Sequence, residues 1–253
     1  MKAIQLLHET AHRPYPLPID PWVMRQTWSD LLFAHWPVAP DVMREHLPAG
    51  LPLDTFDDQA WLGVVPFRMT GIRPRGVPNL PLLSRTDEIN LRTYTVADGK
   101  PGVFFFSLDA GSPLAVILAR RFFHLPYFNA RFTIRYDGDT VDYASHRTHR
   151  GAPPGEFAAT YRPTGPVFEA APASLERWLT ERYCMYAADR RGRLYRGDIH
   201  HRLWPLQPAV ADIRNNTLPQ GFGFSLSGEP LLHFAARLEV LIWTLARLSY
   251  SVG

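Results

Sequence analysis

Cysteine is nearly absent from these 253 residues: Cys184 stands alone, so no internal disulfide can form. It sits in Arg-Tyr-Cys-Met-Tyr, a pattern of core packing rather than of an exposed thiol. Lysine is almost as scarce. Lys2 and Lys100 are the only two, one near the start and one in an Asp-Gly-Lys-Pro turn, and neither is placed as a buried amine nucleophile. The 27 basic residues are therefore nearly all arginine, and with 24 acidic ones they leave a net charge of +3. That excess is too small and too scattered for nucleic-acid binding. No apolar run nears the ~18 residues of a membrane span, and the first residues lack the apolar stretch of a signal peptide. The sequence reads as cytoplasmic. A glycine-rich phosphate loop, a Gly-x-Ser-x-Gly elbow and a His-Glu-x-x-His helix are all missing.

Apolar residues make up 46% of the chain and aromatic ones 13%, enough for a substantial core. Residues 1–20 read as a surface arm and 21–253 as one domain. The 24 prolines and 17 glycines punctuate short segments, as in a β-rich domain. Three helices are predicted: 40–47, opening on Pro40; 114–123, capped by Ser112-Pro113; and one starting near Ser174. Asp98-Gly99, Asp137-Gly138 and Arg191-Gly192 mark hairpins joining 87–97 to 102–110, 130–136 to 139–147, and 183–190 to 193–201. Further strands are expected at 28–38, 51–56, 60–69 and 157–162. Many strands and few helices argue an α+β fold on an antiparallel sheet or barrel. In 231–248 the apolar spacing fits a helix, although its inner part also suits a strand.

The first hairpin gathers polar groups. Period two puts Glu88, Asn90, Arg92 and Tyr94 on one face. A two- or four-residue loop at Asp98 brings Phe105, Ser107 and Asp109 to the same face. That face is either the solvent side or a pocket floor; Tyr94 and Phe105 favour the floor, with Glu88, Asn90 and Arg92 buried and hydrogen-bonded together. In the second hairpin Arg147 continues the apolar face of Phe132, Ile134, Val141 and Tyr143. It requires a carboxylate partner, an anionic ligand or the end of the sheet. In the third, Arg182, Cys184 and Tyr186 are expected to face with Tyr195, Ile199 and His201, while His200 points away. His146 and His149 lack a companion at metal-ligand spacing, so no metal site is expected. Arg190-Arg191-Gly192-Arg193 reads as a solvated turn.

Glu88-Ile89-Asn90-Leu91-Arg92-Thr93-Tyr94 and the segment from Gly102 to Ala110 resemble the bacterial YqjF-like family, a domain of unknown function. Leu125-Pro126-Tyr127, Thr180-Glu181-Arg182-Tyr183 and His201-x-x-Trp204-Pro205-Leu206 resemble its motifs as well, so the likeness runs over 22–243. The family is similar, more distantly, to the acetoacetate decarboxylase superfamily. That resemblance implies a mixed, mainly antiparallel β-barrel or sheet with a few flanking helices around a small-molecule pocket, and a strand at 238–243. It aligns Glu88, the Gly102 strand, Arg120 and the 124–128 segment with the decarboxylase order, but Tyr127 and Phe128 replace its two lysines. Schiff-base decarboxylation is therefore not expected. The expected function is binding or transforming a small carboxylate-bearing molecule without a cofactor. Glu88 and Tyr127 are the catalytic candidates, and Asn90, Arg92, Asp109, Arg120, Arg147, Arg182 and His201 the ligand-binding ones. The alternative is a ligand sensor or partner-binding scaffold whose polar cluster is structural. Neither a nucleic acid nor a membrane is an expected partner, and homo-oligomerisation is left open.

Overall fold

The computed structural model describes residues 3–77 and 85–249. Eleven strands form one mixed, mainly antiparallel sheet: β1 (Met24–Val38), β2 (Ala60–Pro74), β3 (Arg85–Ala97), β4 (Lys100–Ala110), β5 (Tyr127–Asp137), β6 (Thr140–Arg147), β7 (Glu156–Pro163), β8 (Cys184–Ala188), β9 (Leu194–His200), β10 (Leu206–Asn216) and β11 (Leu231–Arg247). The helices are short: α1 (Ala3–His8), α2 (Pro40–Glu45), α3 (Pro113–Phe122) and α4 (Leu175–Thr180). None among the described residues is long and apolar enough to cross a membrane.

The sheet closes twice. β11, β1, β2, β3 and β4 form a common wall. One ring closes through β8 and β9, with β8 parallel to β4; the other runs through β5, β6, β7 and β10. Each side of the wall faces its own core. Phe33, Val65, Phe67 and Ile242 point into the first ring. Leu32, Val64, Ile89 and Leu91 point into the second, against Tyr143 and Tyr161. A wall strand thus has no solvent face, and β3 is buried almost without interruption.

Local signals held where geometry is local. Asp98 (φ 51°) and Gly99 (φ 67°) turn β3 into β4 with two residues. The Ser112 and Ser174 hydroxyls cap α3 and α4 by accepting from the Ala115 and Arg177 amides. In the second hairpin the turn is Gly138-Asp139, one residue later than expected, since Asp137 pairs with Thr140. The faces predicted for that hairpin are unchanged.

Other expectations need correction. The region expected at 51–56 forms only isolated bridges, such as Leu53 with Thr95. β10 was not anticipated: its inward residues Ala209, Ala211 and Ile213 are mostly small, and Pro208 argues against a strand. The helical spacing at 231–248 belongs to the strand β11. Burial on both faces brings consecutive apolar residues, Val240 to Trp243, and erases the two-residue alternation. Within the first twenty residues, α1 buries Leu6 against Leu241 and Trp243. Six residues are too few for a period to be read from sequence.

Candidate functional site

The first ring encloses a cavity of about 500 Å³. β3 supplies its polar floor. Glu88, Asn90 and Arg92 alternate with Ile89 and Leu91, so all three line the cavity and are 2, 5 and 9% exposed. On β2 they pair with Phe67, Val65 and Gly63. Gly63 makes room beneath Arg92: a Cβ there would sit 3.1 Å from the His35 ring and 3.3 Å from Arg92 Cγ. The expected hydrogen bonds among the three are not formed. Each has its own surroundings.

Glu88 meets Tyr127, whose hydroxyl donates to Oε2 at 2.8 Å. Burial pushes the Glu88 carboxyl up to about 8; the Asp109 charge adds to this and the Tyr127 bond opposes it. At neutral pH Glu88 is mostly protonated. Burial, then Glu88 itself, raises Tyr127 well above the usual phenol range, so both groups carry protons. Tyr127 opens β5 beside Leu108, and Arg120 fastens that start by donating to the Tyr127 carbonyl at 2.7 Å.

Arg92 leans the other way along β3. Its Nη2 reaches the Tyr94 hydroxyl and the Leu179 carbonyl, both at 3.4 Å, and the guanidinium lies over the Phe33 ring. Tyr94 Oη is 2.6 Å from His35 Nε2. Burial, and then the Arg92 charge, hold His35 far below the usual imidazole range, so the ring that shares this hydrogen bond with Tyr94 is neutral. Arg92 forms no ion pair among the described residues, and its Nε and the Asn90 Oδ1 are buried without a partner. Arg182 also lines the cavity, but Asp54 neutralises it at 2.5 Å and Trp178 stacks on it at 4.2 Å. His201 shares the cavity wall, yet its ring nitrogens face the Arg202 and Arg182 carbonyls at 2.6 and 3.2 Å. Burial lowers it to about 4, so the ring is neutral.

Asp109 and Arg147 lie elsewhere. A bulge at Phe106 breaks the β3–β4 ladder: Leu91 pairs with Ser107, but Arg92 pairs with Phe105. Beyond it every side chain of β4 is on the face opposite to that of a regular ladder. Leu108 joins the cavity, while Ser107 and Asp109 turn away from it. Asp109 instead takes Arg147 Nε at 2.8 Å, each side chain 1% exposed. A carboxylate partner is thus what Arg147 required. Arg120 is exposed and lines a separate open depression with Arg121, Arg190 and Arg191.

The third hairpin also departs from expectation. Asp189 Oδ1 accepts the Arg191 and Arg193 amides, stretching the turn to 189–193. Cys184 then pairs with Asp198 and Tyr186 with Arg196, so these two face away from Ile199 and Met185, which line the cavity. His146 and His149 are engaged separately, with Glu156 and the Asn129 amide. Sequence reasoning missed His35, Asp54 and Gly63. Gly63 opposite Arg92 is the one local signal, a strand glycine marking close approach.

Comparison with known proteins agrees with this architecture. Residues 25–239 match the family DUF2071, described as an uncharacterized conserved protein. The uncharacterized protein YqjF of Bacillus subtilis (strain 168) is 47% identical over 234 residues, covering 92% of this chain and 96% of that one. Among solved structures, the enduracididine biosynthesis enzyme MppR complexed with pyruvate superposes with a TM-score of 0.64 at 12% identity, over 93% of both chains. An acetoacetate decarboxylase-like enzyme from Sphingomonas wittichii RW1 gives 0.59 at 13% identity, over 94% of this chain and 97% of that one. At such identities the likeness establishes the fold, which is acetoacetate decarboxylase-like.

Proposed function

The chain belongs to the DUF2071 family, and from that premise we propose that it binds a small carboxylate-bearing molecule through Arg92, with Glu88 and Tyr127 available for proton transfer and no lysine imine involved. One observation carries the reading. Arg92 is buried in the cavity with no carboxylate partner among the described residues, whereas Arg147 and Arg182 each have one. An unpaired buried guanidinium is costly. A ligand carboxylate would supply the planar, two-pronged acceptor that fits it. Glu88, mostly protonated at neutral pH, can give a proton to charge developing on a bound ligand. The more distant resemblance to the acetoacetate decarboxylases aligns Tyr127 with one of their two lysines, which supports a reading without an imine. Lys100 opens β4, its Nζ 5.0 Å from the Tyr15 ring centre, and Lys2 is outside the described residues. The structural-network alternative fits the Asp109–Arg147 pair, which belongs to the other ring.

The test is thermal unfolding with a panel of monocarboxylates and their amides. A ligand at ~100 times its Kd adds ~2.7 kcal/mol, or roughly 5–10 °C at this size. Acids should stabilise the protein, amides should not, and Arg92→Gln should abolish the response while folding normally by circular dichroism. Equal responses to acids and amides, or an unchanged response in Arg92→Gln, would overturn the reading.

A further inference from the structure

The cavity is larger than a compact acid needs. At roughly 30 Å³ for each water-sized group, an acid of five or six heavy atoms fills less than half of its 500 Å³. Its polar and apolar groups are also ordered along the wall. The β2–β3 register sets Arg92 against Gly63, Asn90 against Val65, Glu88 against Phe67, and Thr86 against Met69. Ile72 and Pro74 continue the cavity lining along β2, and Pro74 meets Met24 of β1. From the level of Arg92 to that of Met69 is six residues, roughly 20 Å of strand. The unpaired cation is at one end of this path, and the residues after it are mostly apolar.

The rim is apolar too. Leu118 and Phe122 of α3 line the cavity yet are 38 and 62% exposed, which places the opening beside them. Gln26 and Trp28, the polar side chains on the β1 side, bond to each other at 2.8 Å. Burial keeps Glu88 mostly protonated at neutral pH, so it sets little charge beside a passing hydrocarbon, and its Oε2 already accepts from Tyr127. A site for a short, strongly hydrated acid has no use for such a path.

Resting on the carboxylate reading, we propose that the ligand is an amphiphilic monocarboxylic acid, its head on Arg92 and an alkyl or arylalkyl tail of about eight to twelve carbons running past Val65, Phe67 and Met69 toward Phe122. Such an acid has about 11–15 heavy atoms, against space for roughly sixteen water-sized groups.

Calorimetric titration with straight-chain acids from butyrate to hexadecanoate, below micellar concentrations, tests this, with decan-1-ol as the uncharged control. Affinity should rise about fourfold for each added methylene and level off near dodecanoate. Ala119→Trp, which narrows the cavity from α3, should move the plateau to shorter acids while circular dichroism stays unchanged. Arg92→Gln should weaken decanoate at least tenfold and leave decanol unaffected. Butyrate binding as tightly as decanoate, or a plateau unmoved by Ala119→Trp, would overturn the long-chain inference and leave the carboxylate reading standing. Decanol matching decanoate in the wild type would remove the carboxylate reading itself, and silence from every acid would end both.

Discussion

Replacing Glu88 by glutamine should stabilise the protein above neutral pH and leave it nearly unchanged near pH 5. Glu88 is 2% exposed, and the Tyr127 hydroxyl is its hydrogen-bond partner. Burial lifts its carboxyl from the ordinary 4.5 to about 8. Between those values the native protein holds a proton that the unfolded chain has released. The native state binds more protons there, so stability falls as pH rises from about 4.5 to 8. The gap is 8 − 4.5, or 3.5 pH units. At ~1.36 kcal/mol per unit the wild type loses ~3 kcal/mol by pH 7, ~4 kcal/mol by pH 8 and up to ~5 kcal/mol above that. That is a large part of the ~5–15 kcal/mol that holds a domain together. Glutamine has the shape of the neutral carboxyl, its oxygen can still accept from Tyr127, and it does not titrate. Urea denaturation of both proteins at unit steps from pH 5 to 9 gives the difference directly, and groups common to both largely cancel. The Glu88→Gln advantage should start below ~1 kcal/mol and grow with pH until it levels near 8. A difference that is flat with pH, or a wild type more stable at pH 9, would refute the argument that burial keeps Glu88 neutral.

Arg147→Met should strand the buried Asp109 carboxylate and cost about 3–5 kcal/mol in chemical denaturation, with most of it restored by adding Asp109→Asn. Because burial already raises Asp109 to about 6 against the pull of Arg147, the loss in the single variant should grow as pH rises above 6. Gly102→Ala should cost ~3 kcal/mol: its Cβ would lie 2.6 Å from Cys184 Sγ and 2.7 Å from the Cys184 carbonyl, across the parallel β4–β8 seam. Borohydride treatment with β-keto acids should leave the intact mass unchanged; an adduct mapped to Lys100 would contradict the assignment of Tyr127 to the nucleophile's place.

The amino-acid sequence determined whatever depends on a few neighbouring residues. Asp98-Gly99 makes its turn because two successive residues there take positive φ. Ser112 and Ser174 start helices because a hydroxyl can reach an amide three residues on. The common face of Glu88, Asn90 and Arg92 follows from the two-residue period of an extended chain, and it survives because β3 is regular between them. Tertiary structure decided what covers each face. A single extra residue at Phe106 reversed Ser107 and Asp109, and no local pattern announces a bulge that is defined by the partner strand. β11 lost its alternation because the rings on both sides bury it, so a strand carried a helical spacing. Charge pairing was decided at the longest range. Asp54 reaches Arg182 across 128 positions and Asp109 reaches Arg147 across 38, while Arg92, buried like them, has no carboxylate partner among the described residues. Which of the three arginines lacks a carboxylate is a property of strand closure, since only closure fixes which acids come within reach of which buried cation.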